Sequence, residues 1–132
     1  MTDPMIQMQM DEHIRAALRE DMPFGDVSTT SVMPEARPGR VSLIAKADGV
    51  VAGLSVFSRV FCLLDPATRV VAHVADGARV TAGTLVATVE GDVRVLLEGE
   101  RTALNYLQRM SGIATCAREM AAALQGTNTR LL

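Results

Sequence analysis

The residues best suited to chemistry lie in one stretch, residues 99–115, "GERTALNYLQRMSGIAT". Arg101, Asn105 and Gln108 recur there at i, i+4 and i+7. At about 100° per residue they fall together along one border of an apolar helical face. A guanidinium stays charged and binds carboxylate or phosphate through two parallel N–H bonds. Arg101, with Asn105 and Gln108 beside it, can offer an anion a forked set of donors. The competing reading is a solvated flank, or a partner for a neighbouring carboxylate. Glu100 lands near the middle of the apolar arc formed by Leu96, Leu97, Ala103, Leu104, Leu107 and Met110. A carboxylate there is costly unless it is paired and hydrogen-bonded, so a buried clamp on backbone amides or an arginine is expected. Gly99 costs a helix about 1 kcal/mol relative to alanine. A close approach of another element to the backbone would account for it.

Other chemistries find little support. No GxxxxGK[ST] or GxGxxG is present. His13 and His73 are far apart, and neither has a second ligand at metal spacing, so both read as surface or strand histidines. Cys62 and Cys116 lack a CxxC spacing and read as buried, reduced thiols. Lys46 is the sole lysine. The Asp-Gly…Gly pattern at residues 76–83 is reminiscent of biotin or lipoate carriers, but no Met-Lys-Met or Asp-Lys-Ala surrounds Lys46.

The elements that must position the arginine follow from patterning. The 132 residues suffice for one core, and with 48% hydrophobic but only 3% aromatic residues that core is built from small aliphatic side chains and Met. A net charge of −2 argues against broad nucleic-acid binding. No stretch reads as a signal peptide or approaches a membrane span, so the expectation is a cytoplasmic protein. Residues 1–10 read as a flexible arm, with Asp11 capping a first helix whose stripe is Ile14, Ala17 and Leu18. Pro23 and Gly25, then Pro34, Pro38 and Gly39, mark irregular chain. "RVSLIAKA", "RVVAHVA" and "TLVATVEG" read as strands, with Asp48-Gly49 and Asp76-Gly77 as turns. "LSVFSRVFCLL" has a helical period and ends at Asp65-Pro66. Asp92 caps a second helical region that Ser111-Gly112 interrupts and Gly126 ends. Residues 47–54 and 75–83 echo each other weakly, which suggests a small curved antiparallel sheet. The order predicts an α+β fold, a small antiparallel sheet with packed helices.

Four segments together resemble one family. "ALREDMPFGDVSTT", "KADGVVAG", "VADGARVTAGTLVATVEG" and "GERTALNYLQRMSGIAT" are similar, in order and spacing, to the quinolinate phosphoribosyltransferases, also called carboxylating nicotinate-nucleotide pyrophosphorylases. The resemblance covers nearly all of the chain after residue 11. It implies an α/β sandwich, the hammerhead-like N-terminal domain of type II phosphoribosyltransferases, spanning residues 11–132. It also implies a C-terminal α/β barrel that this chain lacks, because the family's "DTRKT" motif does not follow "GTNTRLL". The implied activity is that of a decarboxylating pentosyltransferase of NAD biosynthesis. Quinolinate and phosphoribosyl pyrophosphate, with Mg2+, would give nicotinate mononucleotide, pyrophosphate and CO2. The resemblance assigns Arg101 to a substrate carboxylate in the partner subunit's barrel, with Glu100, Asn105 and Gln108 in support. It places no catalytic residue and no metal ligand in this chain, and expects the chain alone to be inactive. It also expects a homodimer or higher oligomer that associates through the C-terminal helices. Rival readings are a molybdenum-utilisation paralogue of the same fold and a non-catalytic binding or oligomerisation domain.

Overall fold

A central strand needs side chains that can be buried, and Val86, Ala87 and Val89 of "LVATV" supply them, while the buried Thr88 hydroxyl pairs with His73 Nε2 at 2.9 Å. The computed structural model describes residues 3–21 and 37–124. In chain order the elements are α1 (Pro4–Asp21), β1 (Pro38–Ile44), β2 (Gly49–Val50), α2 (Leu54–Leu64), β3 (Arg69–Ala72), β4 (Arg79–Val80), β5 (Leu85–Asp92) and α3 (Val93–Ala123). β5 lies between β1 and β3, antiparallel to both, and Val41, Val89 and Val70 stand in one row across the sheet. Val86, Ala87, Thr88 and Val89 are all buried. This is the α+β arrangement expected.

The two echoing segments meet. β2 pairs with β4 as a second small antiparallel sheet. Each Asp-Gly turn then reaches across to the other copy. Asp48 Oδ1 accepts from the Ala82 N–H at 2.8 Å, and Asp76 Oδ1 accepts from the Leu54 N–H at 2.9 Å. The second bond caps α2, whose N-cap residue Gly53 holds φ at 95° and has no side chain to do so.

α2 packs on α3, with Phe57 and Phe61 edge-to-face at 5.3 Å. Ile14 and Leu18 of α1 complete the core. Gly99 is the point of closest approach. A Cβ there would lie 2.9 Å from Leu64 Cδ1 and from Phe61 Cε1, which accounts for a glycine inside the helix.

Five expectations are corrected. Residues 4–10 are helix, not an arm: the Asp3 carboxylate accepts the Met5 N–H, and Pro4 suits a first helical position. Asp11 therefore caps nothing and is free to pair elsewhere. Pro38 and Gly39 open β1 rather than prolong a loop. α3 runs unbroken through Ser111-Gly112 because its hydroxyls grip the β2 segment. Ser111 Oγ accepts the Ala52 N–H at 3.0 Å, and Thr115 Oγ1 accepts the Val50 N–H at 2.9 Å. Cys116 is exposed and Cys62 half-buried, because both sit on flanks of their helices rather than at the packed centre. The irregular stretch expected around Pro23, Gly25 and Pro34, and the cap expected at Gly126, lie outside the described residues. Among the described residues no helix is long and apolar enough to cross a membrane.

Candidate functional site

Asp92 starts α3 by accepting the Arg94 N–H at 3.0 Å. From there Leu96, Gly99, Thr102, Ala103 and Leu107 turn inward. That rotation leaves Arg101 and Asn105 exposed on the flank that faces α1. Between the two helices lies a hollow of about 400 Å³, walled by His13, Ala17 and Glu20 from α1 and by Arg101, Asn105, Tyr106 and Arg109 from α3.

Two contacts fix the α1 wall. Asp11 is buried and receives both arms of Arg59, Nε to Oδ1 and Nη2 to Oδ2, each at 2.8 Å. The Arg59 hydrogen bonds hold the Asp11 carboxyl down at a pKa of about 2, outweighing the opposing effect of burial. Two residues further on, His13 Nδ1 lies 2.6 Å from the Tyr106 hydroxyl, with the rings edge-to-face at 5.8 Å. Burial raises the pKa of the Tyr106 phenol above its ordinary value, so it stays a neutral hydrogen-bonding group.

The structure joins Arg101 with Asn105 but separates both from Glu100 and Gln108. These two line a second, larger groove of about 780 Å³ between β1 and α3, whose walls include Val41, Leu97 and Leu104. The larger hollow is mostly apolar and lacks Arg101, so the smaller one is the candidate anion site. Glu100 is exposed, not clamped, and makes no hydrogen bond or ion pair among the described residues. The reason is angular. The apolar arc of α3 is wider than the core that covers it, and Leu97 and Leu104 carry it out onto the groove, where Glu100 stands between them. Glu100 and Gln108 thus line a different hollow from Arg101 and Asn105. Lys46 is exposed on the same groove, in a bend after β1.

Patterning overlooked His13, Glu20, Tyr106 and Arg109. Arg109 was accessible, since it continues the stripe Arg101, Asn105 at i+8. The His13–Tyr106 contact spans 93 residues of sequence and leaves no local signal. Among the described residues no group of three or more His, Cys, Asp or Glu could hold a metal ion.

Comparison with known proteins points the same way. The family model "Quinolinate phosphoribosyl transferase, N-terminal domain" matches residues 26–111. A probable carboxylating nicotinate-nucleotide pyrophosphorylase from Synechocystis sp. is 40% identical over 123 residues, which is 93% of this chain and 41% of that protein. Its counterpart from Bacillus subtilis is 34% identical across 87% of this chain and 39% of its own length. The crystal structure of NadC from Streptococcus pyogenes superposes with a TM-score of 0.85 at 44% identity, covering 89% of this chain and 42% of that one. The chain thus spans about two fifths of the length of these relatives. With its α+β fold and its "ERTALN" helix, the chain belongs to the quinolinate phosphoribosyltransferase family, as that family's N-terminal domain.

Proposed function

We propose that this chain serves an enzyme that converts quinolinate and phosphoribosyl pyrophosphate to nicotinate mononucleotide, pyrophosphate and CO2. Its part is to lend Arg101 to the active site in a partner subunit's barrel. The observation that carries the reading is the exposure of Arg101 on a helix tethered at its start and again in its second half. Asp92 caps the start of α3, and Ser111 and Thr115 fasten its second half to β2. A guanidinium presented in this way receives a carboxylate with little reorganisation, which is an electrostatic and positioning role rather than a covalent one. Pairing between subunits is supported by exposed apolar side chains on the second half of α3, Ile113 at 65% and Met120 at 50% exposure.

The described residues do not fit a magnesium site. The metal that the family's reaction uses would be held elsewhere, and Arg101 acts on the organic substrate. The reading is tested by assaying nicotinate mononucleotide formation with the complete protein, barrel included. Product that depends on both quinolinate and phosphoribosyl pyrophosphate is expected, and a folded protein that consumes neither would contradict it.

A further inference from the structure

Two contacts pin α1 to its neighbours within one turn. Asp11 takes both arms of Arg59 from α2, and two residues later His13 Nδ1 lies 2.6 Å from the Tyr106 hydroxyl of α3. The second contact differs from the first in that it can change its chemistry near neutral pH. In a neutral imidazole whose proton sits on Nε2, the bare Nδ1 accepts the phenol O–H. Tyr106 is half-buried, and burial disfavours its anion, so the phenol keeps its proton. His13 is exposed, so solvent protons reach it. Protonation turns Nδ1 from acceptor into donor, and the phenol O–H loses its partner. The surroundings oppose the cation. Arg101 and Arg109 of α3 and Glu20 of α1 share its hollow, two positive groups against one negative, while Arg59 of α2 is already answered by Asp11.

Arg101 emerges into the same hollow, with Ala17 and Glu20 of α1 as the facing wall. Ordering a long, rotamer-rich side chain on binding costs affinity, and a wall that restricts it beforehand lessens that cost. We propose that His13 and Tyr106 are positioning residues for Arg101, joined by a hydrogen bond that holds only while His13 is neutral. The inference rests on the reading of Arg101 given above. With the bond made, α1 stands against the α3 flank and narrows the range of the Arg101 stem. With it broken, the stem is freer and an anion binds less well. The site therefore weakens as pH falls through the imidazole range, from about 8 to 5.

The test is the pH profile of quinolinate KM in the complete enzyme, for wild type, Tyr106→Phe and His13→Asn. Tyr106→Phe removes only the hydroxyl. It should raise KM at pH 8 by about threefold, the size of one neutral hydrogen bond, with kcat nearly unchanged. His13→Asn offers an amide oxygen near the place of Nδ1 and does not titrate. At pH 8 it should keep KM within about twofold of wild type, and towards pH 6 it should lose part of the rise that wild type shows. A merely structural contact would lower the unfolding midpoint of Tyr106→Phe and leave KM and its pH profile as in wild type. That result overturns the proposal, and so does a His13→Asn profile that rises as steeply as wild type. Unchanged KM in Arg101→Gln would instead overturn the reading of Arg101, an outcome distinct from failure at His13 and Tyr106.

Discussion

Arg59, in the middle of α2, closes a two-armed ion pair on Asp11 of α1, with both N···O distances at 2.8 Å. Two residues beyond Asp11, His13 touches Tyr106. The pair is thus the bolt that keeps one wall of the Arg101 hollow in place. Its pH dependence has a definite sign. The folded-state pKa of Asp11 is depressed from 3.8 to about 2. The stability it contributes is complete above the unfolded value and is lost as pH falls from about 4 towards 2. Asp11→Asn should lower stability at pH 7 by about 2–3 kcal/mol, because it leaves Arg59 facing a neutral acceptor. The difference from wild type should shrink below pH 3. Urea denaturation at pH 7 and at pH 3 checks both statements, and a difference independent of pH would contradict them.

Two glycines of α3 should respond to alanine in opposite directions. At Gly99 the new methyl meets Phe61 and Leu64 at 2.9 Å. Overpacking of this kind costs about 1–3 kcal/mol and offsets or exceeds the helix-propensity gain of about 1 kcal/mol. At Gly112 nothing lies within 4 Å, so Gly112→Ala keeps the gain. Thermal denaturation of the two variants should place Gly99→Ala at or below wild type and Gly112→Ala above it.

The crossed aspartates give a third expectation. Asp76→Ala removes the cap from α2 and should destabilise by about 1 kcal/mol. Asp76→Asn retains an acceptor and should recover most of that. Amide exchange at Leu54 reads the local effect, and should quicken in Asp76→Ala but not in Asp48→Ala.

Much of this fold was legible in the sequence because it is local. The period of "LSVFSRVFCLL", the Asp76-Gly77 turn and the Asp92 cap each act over a few residues, and each is found where expected. What escaped was tertiary. Ser111-Gly112 is a helix-breaking pair until Ala52 supplies partners from 59 residues away. Asp11 looks like a cap until Arg59 arrives across 48 residues. At the site, periodicity identified Arg101 and Asn105 as neighbours. It could not assign Glu100 and Gln108 to a side, because the wheel shows where a side chain points and not which part of the arc another element covers.

The most direct test of the central claim is quinolinate saturation kinetics of Arg101→Lys beside wild type in the complete enzyme. Lysine preserves the charge and removes the fork. A rise in KM of roughly tenfold or more, the value of one charge-assisted hydrogen bond, is expected, with an unchanged unfolding midpoint. Unchanged KM and kcat in a folded variant would contradict it.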